Sequence, residues 1–152
     1  MIAFKRMTFP THILAGLIIG KLTGDYTAAL TGSLVMDLDH LLSYHRHGIL
    51  LKPKRMFRES LTEADPWGDQ KNFLHSVQSW LIISFLIAAI DLRFGLIFSF
   101  AYLVHLILDA MTGSFYPFYP YKKFYIKQPI IRYLSKKEAV LGMTLLLMFF
   151  VV

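Results

Sequence analysis

No cysteine occurs among the 152 residues, which excludes a disulfide framework, a cysteine-type zinc finger and a thiol nucleophile. A metal, if one is bound, must be held by His, Asp or Glu. Charge is scarce too: Asp, Glu, Lys and Arg make up 17% of the chain, against about one quarter in an average soluble domain. Acidic residues are the scarcer sign, 10 against 16 Lys and Arg, for a net charge of +6. There is no Gly-rich phosphate loop and no serine hydrolase elbow, and neither an internal repeat nor a low-complexity segment. Apolar residues fill the space, 55% hydrophobic and 15% aromatic, and such a chain is not disordered. Its length suits one domain, residues 1–152.

Five apolar runs stand out: Pro10 to Leu22, Tyr26 to Leu42, Phe73 to Ile90, Phe94 to Met111 and Ala139 to Val152. They are apolar around most of a helical circumference, as membrane helices are, and Gly16, Gly20, Gly32 and Gly95 suit that setting. A hydrocarbon core of about 30 Å takes about 20 helical residues, so the first and last runs are marginal spans. Lys5 and Arg6 before an apolar stretch resemble a signal peptide, but Lys21 interrupts it and no small-residue cleavage site follows, so no cleavage is expected.

Lys5, Arg6, the stretch from Ser43 to Asn72 and the stretch from Gly113 to Glu138 carry nearly all the cations. Only Lys21 and Arg93 fall in the two short turns that would face the other side. The positive-inside rule then places the N-terminus and both basic loops in the cytoplasm. A basic balance on so apolar a chain records topology, and no nucleic-acid partner is expected. The expected architecture is all-α, a multi-span membrane bundle of about four to five helices in the cell inner membrane, with the lipid bilayer as its partner. The aromatic stretch Phe115 to Tyr125 reads as an interfacial belt.

His12 opens the first run; Asp37, Asp39 and His40 close the second; His75 opens the third; His105 and Asp109 close the fourth. All seven fall at one membrane face, the cytoplasmic one. Ionisable groups within membrane segments cost free energy, about 2.5 to 3.5 kcal/mol for Asp at a helix centre on insertion scales, so their convergence points to a metal site. His105 and Asp109, four apart, share a helix face, as do Asp37 and His40, three apart. Asp39 points elsewhere on an ideal helix, unless the helix has already frayed there. One of Asp37 and Asp39 would bind metal and the other would bond a ligand imidazole or a second ion; the sequence does not separate them. His45 and His47 lie in a charged stretch and read as solvated or substrate-facing.

At these residues the chain resembles the YdjM-like family of membrane-bound metal-dependent hydrolases, typified by a LexA-regulated inner-membrane protein. Thr11-His12, Met36-Asp37-Leu38-Asp39-His40, Leu74-His75-Ser76, and His105-Leu106-Ile107-Leu108-Asp109 with Thr112-Gly113 and Pro117 carry the likeness over about the first 120 residues. Met36 stands where the family has proline, and Asn72-Phe73 replaces Arg-Gly, which removes a cation. More remotely, the order of these motifs is similar to that of zinc-dependent phospholipase C and related single-strand nucleases. That likeness implies a zinc held by Asp39, His75, His105 and Asp109, with Asp109 bridging to a second ion beside His12. No histidine follows His105, so at most two ions are expected.

The resulting expectation is a hydrolase with one or two divalent ions, zinc first, with manganese or iron also suited to a sulfur-free set. A metal lowers the pKa of its water to about 7, for attack on an ester or phosphodiester of a phospholipid substrate. His12, Asp37, Asp39, His40, His75, His105 and Asp109 form the ligand pool, Asp37 and Asp39 supply the catalytic carboxylate, with Asp37 favoured as general base, and Ser76 and Thr112 support the ligands. An ion transporter or a non-catalytic adaptor with a structural metal would use similar residues; the first would place them near the midplane, the second would close the site with four ligands.

Overall fold

The computed structural model describes residues 9–60, 73–112, 116–126, 130–131 and 135–152. It is all-α, with no strand among the described residues. The helices are α1 (Phe9–Thr23), α2 (Tyr26–Leu34), α3 (Leu38–Arg46), α4 (Pro53–Ser60), α5 (Val77–Ile90), α6 (Leu92–Thr112) and α7 (Lys136–Val151), with a 3-10 turn, Val35–Asp37, between α2 and α3.

Local chemistry sets the boundaries. Gly24 ends α1 with φ +74°, a left-handed conformation that glycine adopts without a Cβ penalty. Asp25 then caps α2 by accepting from the Ala28 N–H at 2.9 Å. Asp91 ends α5, and its Oδ1 accepts from the Phe94 N–H at 3.0 Å in the first turn of α6. Ser135 caps α7 by accepting from the N–H of Glu138, the Ser-x-x-Glu spacing of a capping box.

Cross-helix contacts fix the directions. His12 faces Asp109, Ile19 packs with Ala101, and Arg93 reaches the Thr23 carbonyl, so α1 and α6 run antiparallel. Gly32 lies against Phe98 and Ala101 while the Ser33 carbonyl meets His105, so α2 and α6 run parallel. The α5–α6 hairpin closes where Gly95 meets Ala88, and the Trp80 indole N–H donates to the Ser99 carbonyl at 2.9 Å. Thr11 approaches Gly142 and Lys21 reaches Phe149, so α7 runs beside α1 in the same direction. A Cβ on Gly32 would stand 2.3 Å from the Phe98 carbonyl oxygen; a small residue there lets two backbones touch, as in membrane helix pairs.

Met36, Phe98, Tyr102 and Leu106 form the main apolar core, joined by Trp80, Ile83 and Leu74. Polarity elsewhere is inverted: α5 buries Ser79 and Ser84 while Leu81, Ile82, Phe85 and Leu86 are exposed. Such apolar faces need a non-aqueous neighbour. Only α6 among the described helices is long and apolar enough to cross a membrane, 20 residues over Leu92–Met111; α5 is apolar but shorter.

The apolar run from Tyr26 to Leu42 is not one helix, because Leu34, with φ −123° and ψ −18°, leaves helical geometry and the 3-10 turn follows. Residues two apart on a helix are about 200° apart, and Asp37 and Leu38 both keep right-handed helical dihedrals, so Asp37 and Asp39 leave the chain on nearly opposite sides. The stretch from Ser43 to Asn72 likewise contains the end of α3 and the short helix α4. Lys5, Arg6, Lys71, Phe115, Lys127 and Arg132 lie outside the described residues.

Candidate metal centre

The start of α1, the end of α2 with the 3-10 turn, the start of α3, the turn before α5 and the end of α6 meet at one end of the bundle. All seven residues singled out from the sequence come together there. Four are deeply buried: His12, His75, His105 and Asp109 are each at most 4% exposed. Asp39 is buried as well, whereas Asp37 and His40 are intermediate and form the rim.

Asp109 is the centre of the group. Its Oδ2 lies 3.3 Å from His75 Nε2 and 3.5 Å from His105 Nε2, and its Oδ1 lies 3.7 Å from His12 Nε2. His105 Nε2 makes no hydrogen bond among the described residues. Its other nitrogen does, because Nδ1 stands 2.7 Å from the Ser33 carbonyl oxygen. A carbonyl can only accept, so the proton of a neutral His105 is on Nδ1 and Nε2 presents a lone pair to the carboxylate. That carbonyl is in the last turn of α2, where carbonyls lack intrahelical donors.

His75 repeats the pattern with a different partner. Its Nδ1 stands 3.2 Å from Asp39 Oδ2, which also accepts from the Leu74 N–H at 2.8 Å. With the carboxylate accepting from Nδ1–H, Nε2 of His75 again turns a lone pair toward Asp109. The Tyr102 hydroxyl donates to the Leu74 carbonyl and so secures the same turn from α6. Two imidazole lone pairs and a carboxylate oxygen thus face one another inside the protein. Acceptors held this way repel unless a proton sits on one imidazole or a metal ion lies among them, and the spacing suits an ion: ligand atoms about 2.0 to 2.1 Å from a tetrahedral ion stand about 3.4 Å apart.

Two triads have donor atoms within 4.8 Å of one another, His12 with His105 and Asp109, and Asp37 with His75 and His105. On the rim, Asp37 Oδ1 is 3.8 Å from His40 Nε2, and the His40 ring stands edge-on to His75 at 5.3 Å between centroids. Ser76 plays a different part from the one its position suggests: its hydroxyl caps α5, accepting from the Ser79 N–H, and donates to the Phe73 carbonyl at 2.8 Å. His45 and His47 are exposed. The Ser33 carbonyl was not singled out in the sequence; the signal for it is the helix end, which frees a carbonyl beside the close approach at Gly32.

The surroundings of the rim are apolar. Leu38, Leu41 and Leu42 of α3 are exposed beside Asp37 and His40. In the aromatic stretch the Tyr116 ring pairs with Tyr125 and Phe118 with Phe124, and Tyr121 and Phe124 are exposed. The Pro117 carbonyl accepts from the Val77 N–H at 2.8 Å, which ties this stretch to the start of α5, two residues from His75.

A family model described as YdjM inner membrane protein matches residues 7–152. No curated protein and no solved structure matches the chain.

Proposed function

Because the chain belongs to the YdjM inner membrane protein family, we propose that it is a multi-span membrane hydrolase that uses a divalent ion, zinc first, to cleave an ester or phosphodiester of a membrane lipid. The observation that carries this reading is the pair of imidazoles, His75 and His105, whose Nδ1 atoms are committed to Asp39 and to the Ser33 carbonyl while both Nε2 atoms face Asp109 Oδ2. Carboxylate–histidine pairs of this kind orient metal ligands, and a set of His and Asp without sulfur suits zinc, manganese or iron. A divalent ion bound there supplies an acidified water and polarises the substrate oxygen.

The chain's own groups divide the remaining work. Ser33 and Asp39 fix which nitrogen of each imidazole carries its proton. Asp37, on the half-buried rim within 4.8 Å of the donor atoms of His75 and His105, takes the proton that water gives up as it attacks. His40, 3.8 Å from Asp37 Oδ1, relays a proton to the departing oxygen as the ester bond breaks. Asp39 acts through His75 and takes no part in proton transfer.

The lipid assignment is supported by the rim. Exposed leucines of α3 adjoin it in sequence, the 116–126 stretch with its exposed aromatics is tied through Pro117 to the start of α5, and Lys54, Arg55 and Arg58 of α4 are exposed nearby in sequence, where cations attract anionic headgroups. A multi-pass topology with the basic segments in the cytoplasm places this end at the inner lipid boundary. Transporters usually bind ions near the midplane, and the cluster at one end of the helices favours hydrolysis over transport.

The test pairs metal content with a lipid screen on detergent-purified protein. Wild type is expected to carry zinc or manganese by elemental mass spectrometry and to cleave an anionic phospholipid, with both lost in a folded His105→Ala, Asp109→Ala variant. Hydrolysis unchanged by that variant would remove these residues from the active site. Metal uptake into liposomes without hydrolysis would reassign the centre to transport.

A further inference from the structure

Seven donors can be distributed over one ion or two, and the rings decide between these. His12 and His105 are stacked, with centroids 3.8 Å apart and planes 18° from parallel. An imidazole lone pair lies in the ring plane, so the lone pairs of two stacked rings run side by side and do not converge on one point about 2 Å from each nitrogen. The carboxylate records the same division, since His12 faces Oδ1 of Asp109 and His105 faces Oδ2. His75 and His105 are arranged oppositely: their planes cross at 61° and both Nε2 atoms approach the one Oδ2. Their lone pairs therefore meet.

A second ion on Oδ1 would find few ligands. His105 has one lone pair to give, its Nδ1 being bonded to the Ser33 carbonyl, and His75 has one, its Nδ1 being bonded to Asp39. Both are spent at Oδ2. The two donor triads, His12 with His105 and Asp109 and Asp37 with His75 and His105, share His105, whose one lone pair cannot serve two ions, and a catalytic zinc site takes three protein ligands. His12 is also buried, 4% exposed, and stacked on His105.

We infer that this centre holds a single ion on His75, His105 and Asp109, with its open position toward Asp37, and that His12 is not a ligand but a positioning residue that stacks on His105 and holds Asp109 through Oδ1. The inference rests on the metal-dependent reading and adds to it the stoichiometry and the place of His12. Three buried ligands with a fourth position toward a half-buried rim match a catalytic arrangement rather than a closed structural one.

The experiment measures zinc bound per chain in the full-length protein, by elemental mass spectrometry after equilibration with zinc and removal of excess. Wild type, His75→Ala, His12→Phe and His12→Asn are compared, the last two because phenylalanine keeps the stacked ring and asparagine keeps a polar group toward Asp109. Circular dichroism and monodispersity in detergent confirm folding. Wild type, His12→Phe and His12→Asn are expected to bind one equivalent, with affinity in the His12 variants weakened by at most about tenfold, and His75→Ala to bind none. Cobalt(II) substituted for zinc gives a second readout: its visible spectrum, which reports ligand number and geometry, should be retained in His12→Phe. Two equivalents in wild type falling to one in either His12 variant, or loss of zinc in both folded His12 variants, would overturn the inference while leaving a metal centre in place. No zinc in any protein would overturn the metal-dependent reading and this inference with it.

Discussion

At the end of the bundle where α1 turns into α2 and α5 into α6, charged side chains answer backbone groups. Lys21 donates to the Phe149 carbonyl and Arg93 to the Thr23 carbonyl, while Asp25 and Asp91 accept from N–H groups that open α2 and α6. Cations at helix C-termini and carboxylates at N-termini are what the helix dipole favours. At the opposite end, α5 is capped by the neutral Ser76, and Asp37, Asp39 and Asp109 face imidazoles. The first arrangement completes the helices; the second holds acceptors against acceptors in a buried space. A carboxylate near a helix end therefore signals function only when its partners are side chains that themselves need a cation.

The comparison breaks most severely if the packing that brings α2 to α6 is lost. In Gly32→Ala the new methyl would lie 2.3 Å from the Phe98 carbonyl oxygen and 2.9 Å from its Cα, so the backbones must part. Overpacking of this kind costs about 1 to 3 kcal/mol, and the upper end is expected because backbone, not a flexible side chain, is struck. Thermal unfolding in detergent should show it. The same separation draws the Ser33 carbonyl from His105, so zinc affinity should fall in the protein that remains folded. An unchanged melting temperature would show that α2 and α6 are not in contact at Gly32.

The next effect is confined to the metal end. Asp39→Asn keeps an acceptor for the Leu74 N–H but removes the charge beside His75 Nδ1. Loss of such an orienting carboxylate costs about 10- to 100-fold in metal affinity, which is about 1.4 to 2.8 kcal/mol. A competition titration against a chelator measures it. If zinc affinity were unaffected, Asp39 would be a cap for the turn at Leu74, and the two ends would use carboxylates alike.

Much of this was legible in the sequence, and the parts that were not have physical reasons. Apolar runs and their short turns mark the four long helices and α2, because hydropathy follows the environment of each face. The convergence of His12, Asp37, Asp39, His40, His75, His105 and Asp109 follows from the alternation of helix direction, and the structure brings all seven together. The break at Leu34 did not show, since the run from Tyr26 to Leu42 stays apolar through it. The Ser33 carbonyl leaves no trace in residue type, because any residue supplies one.

The smallest effect belongs to the far end. Lys21 Nζ donates to the Phe149 carbonyl at 2.7 Å and lies 5.0 Å from the centroid of the Phe149 ring, but the side chain is exposed. Exposed cation–π contacts contribute about 0.5 to 1 kcal/mol, and a cation at a helix C-terminus about 0.3 to 1 kcal/mol; the two overlap here because one ammonium makes both. Lys21→Met keeps most of the length and apolar stem, so a loss of about 0.5 kcal/mol in thermal stability is expected, with zinc content and affinity the same as in wild type. The second measurement carries the argument. A Lys21→Met protein that melted normally but bound zinc more weakly would mean that α1 and α7 transmit a change from one end of the bundle to the other, and charge at the far end would then belong to the functional site as well.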